Sequence, residues 1–552
     1  MSRLSILIGI LLALGVLGAL GLSIVGGAEP PPNVVLNHGR AKPQGGFYTL
    51  DFREPTVLNP YLAFEGVALR IVLDRTHDTL MEYDPATAKM RPSLAETCVA
   101  DGRKITFTIR SDARFSDGSR VKDEDLLFTF ELVQNKVDLG ATGAALEDVA
   151  SVKVTGPRTL EVVLKTRTFE SVASIATGYI VGQKQFFMRK IAHLADAQGD
   201  PVPKLGEPRF AELFATVNEP GPGTGPYKFA RWVPGQELYI IQNEYSWRLT
   251  ARPDDWNLAG LRLMFFGDPA GSLVRTREGT LDLYSNPDAE NILRSTPGFA
   301  DTHTSYRYDH RSNGHYYVIW NHRRQHLGNP KVRRALTMLF DRDEIVKEAL
   351  SGCAARTRTW FRPGSETDLP KDRAIPFHPK RAREILDEAS ASDLTVEILY
   401  AGDNPSQTQM MDIAMDGFRK AGVELKAISQ EGKVLFSRLE SGDFDGVVMY
   451  VGVAVNIDPY YYFHKSQRES GRNWMGYDND DVNRLLSSAR KEFDADRRAS
   501  MYREFNEIFL REQPVTLLAH PLSSIILSKR FHGVKPGAMG LSWEKWWVEP
   551  AK

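Results

Sequence analysis

Ile105, Phe107 and Ile109 alternate with polar residues, which predicts a half-buried strand. Asp117 and Gly118 supply the turn that follows. Leu126, Leu127, Phe130 and Val133 then recur at helical spacing behind acids that favour the start of a helix dipole. Further strands are predicted at Thr159–Leu164, Tyr227–Trp232 and Glu237–Gln242, the last two flanking a Val-Pro-Gly turn and so forming a hairpin. The second half has a different texture. After the strand Tyr316–Asn321, helical patterns run over Val332–Leu350 and His378–Ala389. A strand at 394–401, a helix ending at Gly422 and a strand at 423–429 have the spacing of a βαβ unit. The run Phe444–Val451 reads as a buried strand that delivers VAVNIDPYYYF, Val453–Phe463, at its C-terminal end. An aromatic run beside a turn more often fills a core than touches a ligand. Ligands collect beyond the carboxyl ends of strands in open α/β sheets, however, and this position favours a functional reading.

The N-terminus departs from globular patterning. Arg3 precedes an uncharged run from Leu4 to Val25. Signal-peptide cores need ~7–15 apolar residues and a membrane-spanning helix ~20, so the run fits either a long export signal or an uncleaved anchor. Gly26, Gly27 and Ala28 offer small residues for cleavage, and no cysteine stands nearby to accept a lipid. Residues 1–28 are therefore expected to be a signal peptide or membrane anchor and 29–45 a Pro/Gly-rich tether, with an extracytoplasmic body beyond them.

A length of 552 residues calls for two or more lobes. Sixty-nine basic residues against 70 acidic ones leave no global field for polyanions, which argues against nucleic acid as a partner. Cys98 and Cys353 are too few for a disulfide framework or a thiolate metal site; one bridge between them is an alternative to two free thiols. The twelve histidines form no HExxH motif, and there is no G-x-S-x-G elbow. PGPGTGPYK, Pro220–Lys228, leads into a strand rather than into a helix that could hold phosphate. The acids Asp117, Asp123, Glu124 and Asp125 sit in a turn and a first helical turn, where they serve the helix start. No catalytic residue, metal site or cofactor is expected.

Four blocks in order carry a resemblance. PSLAETCVADGRKITFTIRSDARFSDGSRVKDEDLLFTFELV (Pro92–Val133) resembles the signature region of the extracellular solute-binding proteins of the peptide/nickel/oligopeptide class. GTGPYKFARWVPGQELYIIQNEYSW, VRRALTMLFDRDEIVKEALSG and NWMGYDNDDVNRLLSSAR are similar to three further blocks of that family, and the match spans about Gly46–Pro536. The resemblance implies an α/β, two-lobed hinged periplasmic-binding-protein fold of type II, the large three-subdomain class with mixed sheets. Residues 46–311 would form lobe I, with an inserted subdomain over about 66–215; 312–512 would form lobe II, and 513–552 would return to lobe I. YYVIWN and PVTLLAH would be the crossing strands.

Function follows as an expectation. The family implies the substrate-binding component of an ABC importer, a monomer that closes on a peptide or similar-sized solute and meets permease and ATPase subunits. A ligand sensor on the same fold, or an extracytoplasmic hydrolase, are alternatives. Candidate ligand contacts are Glu65, Gly66, Tyr317, Trp320, Tyr450, Gly452, Val455, Asn456, Asp458, Tyr460 and Tyr461. Strand alternation allows at most one of Tyr317 and Trp320 to face the cleft. Peptide-binding members usually carry a Trp and an amine-binding Asp ahead of the Asp-Pro corner; here those positions are Gly452 and Val455. A free N-terminal amine would then lack its carboxylate unless Asp458 or Glu65 substitutes.

Overall fold

The computed structural model describes residues 46–51, 54–62, 73–266, 268–286, 291, 293–309, 314–452, 458–469 and 471–549. The hydrophobic run Leu4–Val25 and the tether lie outside them. Among the described residues no helix is long and apolar enough to cross a membrane.

Two large mixed sheets organise the chain. A seven-stranded sheet has the order His303–Tyr308, Ser523–Ser528, Leu283–Tyr284, Phe47–Asp51, Gly260–Met264, Glu237–Gln242 and Tyr227–Val233. A six-stranded sheet has the order Ala354–Ala355, Val515–Pro521, His315–Trp320, Gly446–Val451, Thr395–Ala401 and Glu424–Gln430. A separate four-stranded antiparallel sheet, 95–109 with 149–164, carries the Ile105/Phe107/Ile109 alternation, and all three side chains are buried. The two large sheets exchange chain between Tyr308 and His315 and again at Leu522, the one residue between Val515–Pro521 and Ser523–Ser528. The expected hairpin pairs Tyr227–Val233 with Glu237–Gln242, and the βαβ unit is present with parallel strands.

Strand His315–Trp320 sits between two strands of its sheet, and both of its faces are covered. Trp320 packs on one face with Phe340, Leu336 and Met410; Tyr317 packs on the other with Trp360 and Phe463. Each buried aromatic of this kind contributes ~1.5–3 kcal/mol relative to exposure.

Local patterns explain three departures from simple periodicity. The helical run Val332–Leu350 is broken into Pro330–Thr337, Arg342–Glu344 and a π-turn at Ile345–Ala349. Asp341 restarts the helix, its carboxylate accepting the Glu344 N–H at 3.1 Å. In GTGPY, the glycines answer to packing: a Cβ on Gly223 would lie 1.9 Å from the Thr76 carbonyl oxygen, and one on Gly225 2.4 Å from that of Arg75. Asp125 is buried and accepts the backbone N–H of Lys122 at 2.9 Å and of Lys184 at 2.8 Å, so it ties two helix starts together. Cys98 and Cys353 are not joined in a disulfide.

Candidate ligand site at the lobe boundary

The strand Gly446–Val451 buries Val447 and Val448 and then emerges at Tyr450, which is 44% exposed. The Tyr450 hydroxyl accepts the Gly314 N–H at 3.1 Å, and its ring lies 5.1 Å from that of Tyr316. This joins the end of the strand to the chain crossing. Among the described residues, a Cβ on Gly452 would meet nothing within 4 Å.

The chain next described is the Asp-Pro corner. Asp458 is buried; its Oδ1 accepts the Tyr460 N–H at 3.0 Å and so starts the single helical turn Tyr460–Phe463. That turn sends the aromatics in different directions. Phe463 is buried against Trp360, whereas Tyr461 is 39% exposed. Asp458 Oδ2 lies 2.9 Å from Arg490 Nε, an ion pair by distance that lacks hydrogen-bond alignment. The Arg490 guanidinium lies 4.3 Å from the Tyr460 ring centroid and 4.9 Å from that of Tyr461, and it donates to the Tyr461 hydroxyl at 2.9 Å.

This wall meets the part of the chain that carries the four-stranded sheet. The Phe169 N–H donates to the Arg490 carbonyl at 3.0 Å. Arg498 lies 4.2 Å over the Phe169 ring, and Arg167 4.7 Å over that of Phe493. Glu170, half-buried beside them, is pushed up to about 8, by burial first and then by the charge of Asp458. Burial likewise raises Asp458, with Arg490 offsetting only part of the effect. The Tyr502 hydroxyl, raised by burial and by both acids, has no hydrogen-bond partner among the described residues. Two carboxyl groups, offset in part by Arg490 and, for Glu170, also by Arg498, thus stand in a place where contacts from distant parts of the chain converge.

The predicted contacts divide into three groups. Tyr450 and Gly452 lie at the end of strand Gly446–Val451, and Asp458, Tyr460 and Tyr461 lie around Arg490. Glu65, Gly66, Val455 and Asn456 lie outside the described residues. Tyr317 and Trp320 are corrected to core positions, at 2% and 0% exposure, because neighbouring layers cover both faces of their strand. The Trp320 Nε1–H is used internally, donating to the Thr516 hydroxyl at 2.9 Å. Asp458 does not stand free as an amine acceptor, since Arg490 pairs with it. Sequence reasoning missed Glu170, Arg490 and Arg498. Arg490 ends the quoted NWMGYDNDDVNRLLSSAR block, but nothing in its spacing points to Glu170, 320 positions before it.

Residues 89–474 match the family model for the bacterial extracellular solute-binding proteins, family 5. The chain belongs to this family. Curated relatives include the oligopeptide-binding protein AppA of Bacillus subtilis, 24% identical over 541 residues and covering 92% of this chain and 93% of AppA. The dipeptide-binding protein of Escherichia coli is 22% identical over 508 residues, covering 84% of this chain and 87% of that protein. Among solved structures, AppA in complex with a nonapeptide superposes with a TM-score of 0.73 at 21% identity, covering 92% of this chain and 99% of that one. DppA of Helicobacter pylori in complex with the peptide STSA gives 0.74 at 18% identity, covering 92% and 98%. The fold is therefore the two-lobed α/β fold of these binding proteins. Family-5 membership makes solute binding outside the cytoplasm the function class of the chain.

Proposed function

We propose that this protein is the substrate-binding component of an ABC-type importer and holds a peptide or similar-sized solute between its two lobes. The observation that carries the reading is the convergence at the end of strand Gly446–Val451. There Gly452, exposed tyrosines and the Asp458–Arg490 pair meet Phe169 and Glu170 from a distant part of the chain. The dipeptide- and oligopeptide-binding names of the relatives support a peptide-like ligand. In this reading lobe I spans 46–311 with its inserted subdomain at about 66–215, lobe II spans 312–512, and 513–552 returns to lobe I.

The protein acts by binding and closure, without chemistry on its ligand. It is a monomer that presents its closed form to permease and ATPase subunits, exported by its N-terminal segment and held at the membrane by Leu4–Val25 if that run stays uncleaved. Ligand recognition uses tyrosine rings, hydroxyls and backbone rather than a free carboxylate for an N-terminal amine, because Val455 stands at the family's aspartate position and Arg490 occupies Asp458. Thermal-shift measurements with a panel of free and N-acetylated peptides test this. A ligand at 100 times its Kd stabilises by ~2.7 kcal/mol. The expected result is a raised Tm with some peptides and no loss on acetylation. No shift with any peptide would overturn the peptide assignment, and a shift confined to unmodified N-termini would overturn the amine argument.

A further inference from the structure

Two buried arginines, nine positions apart between the strands His315–Trp320 and Ala354–Ala355, are satisfied to very different degrees. Arg333, 1% exposed, directs its donors at four carbonyls. Its Nε donates to Gln513 at 3.0 Å, Nη1 to Leu327 at 2.7 Å and to Gly328 at 2.9 Å, and Nη2 to Glu512 at 2.8 Å. Arg342, 5% exposed, makes one described hydrogen bond, from Nη2 to the Ile375 carbonyl. Its Nε is buried and has no hydrogen-bond partner among the described residues. A guanidinium carries five N–H donors, so one bond leaves this buried group far from saturated.

Arg342 borders a cavity of about 10 Å³ together with Arg356, Arg358, Thr357, Gln513 and apolar side chains that include Phe509. The other two guanidiniums have carboxylates: Asp343 lies 3.2 Å from Arg356, and Asp368 pairs with Arg358. No described carboxylate forms an ion pair with Arg342. The two uncharged polar side chains are engaged elsewhere, the Thr357 hydroxyl donating to the Thr359 carbonyl at 3.1 Å and the Gln513 amide to that of Leu510 at 3.0 Å. Burial, and then the charge of Arg356, lower Arg342 to about 10, with Asp343 and Asp341 offsetting part of the effect. Arg342 is therefore charged at neutral pH. A buried charge without a counter-charge is strongly disfavoured, and water would accept from Nε without answering that charge. A cavity of this order takes one water-sized particle, which suits a monatomic anion and excludes an oxyanion such as sulfate or phosphate.

We propose that this cavity is a site for a single halide-sized anion, chloride under ordinary conditions, held by the Arg342 Nε–H and by the field of Arg342, Arg356 and Arg358. The anion would tie residues 342, 356–358 and 375 to the 509–517 segment that leads into strand Val515–Pro521. Its role is to complete the fold, and the proposal is independent of the solute held between the lobes.

The test uses the full-length chain in detergent, dialysed into sodium gluconate, with chloride or bromide replacing gluconate at constant ionic strength. Tm is expected to rise with either halide and to level off as the site fills. Crystals grown in bromide are expected to show an anomalous peak against Arg342 Nε. Arg342→Met keeps the length of the side chain without its charge and is expected to lose both signals. Arg356→Gln, at a side chain 43% exposed, removes one charge and leaves the buried packing in place, so it decides the matter even where Arg342→Met does not fold. It is expected to raise the halide concentration needed for half of the Tm rise several-fold. Ordered water with no anomalous peak in the cavity would overturn the proposal, and so would a halide response in Arg356→Gln equal to that of the wild type.

Discussion

Arg248 and Arg490 both lie in clusters with carboxylates beneath the surface, yet the two clusters are finished differently. Arg248, 3% exposed, donates to Asp78 Oδ1 at 2.7 Å, to Glu82 Oε2 at 2.7 Å and to Ser93 Oγ at 2.9 Å, and lies 4.7 Å from the Trp247 ring centroid. Trp247 in turn donates to Asp78 Oδ2 at 2.8 Å. Arg91 and Arg252 each approach Glu82 within 2.8 Å. Burial alone would raise Glu82, but the guanidiniums, Arg248 foremost, hold it down at about 2. Glu544, itself buried, is raised, by burial first. Around Arg490 the balance is reversed. Glu170 and Asp458 are both raised, and Asp458 Oδ2, Arg490 Nε and the Tyr502 hydroxyl lack hydrogen-bond partners among the described residues. The first cluster locks one body together. If 46–311 and 312–512 are separate lobes, as proposed, the second joins them, and incomplete pairing there lowers the cost of separating them.

The comparison can be broken by mutation. Arg248→Met strands Asp78 and Glu82 and should cost ~3–5 kcal/mol in urea unfolding, the range for breaking a buried pair from one side. Arg490→Met should cost clearly less, ~1–3 kcal/mol, because Asp458 is already raised and can be protonated. Equal losses would erase the distinction. The two acids should also give opposite pH slopes. Glu82 is lowered from 4.5 to about 2, so its contribution is complete above 4.5 and is lost as pH falls toward 2. Glu170 is raised from 4.5 to about 8, so the folded state binds the extra proton and stability falls as pH rises between those values. Tm against pH for Glu82→Gln and Glu170→Gln should flatten the acid limb and the alkaline limb respectively. The smallest effect is expected for Tyr461→Phe, which removes the 2.9 Å bond from Arg490 and should change stability by ~0.5–1.5 kcal/mol.

Much of the framework was legible because it rests on local patterns. Ile105, Phe107 and Ile109 fixed a strand face, Val-Pro-Gly marked a hairpin, and the alternation of elements after Leu394 marked a βαβ unit. The broken helix after Val332 was not read, since periodicity continues across Asp341 while its carboxylate restarts the backbone hydrogen bonding. Trp320 and Tyr317 were read as cleft candidates because period-two alternation gives two faces and does not say that both are covered. The buried strand ahead of Asp458 was legible from its apolar run. The contacts around Asp458 were not: Phe169 and Arg490 stand 321 positions apart and are joined by a backbone hydrogen bond that no short window contains.

The central claim is that the two lobes close on a solute, and native mass spectrometry of the gently purified protein, before and after unfolding, tests it most directly. The account predicts a folded species heavier than the polypeptide by the mass of a peptide-sized molecule, which is released on denaturation or taken up on incubation with a peptide pool. A folded protein that keeps the bare polypeptide mass under both conditions, or that returns the pool cleaved, would contradict it.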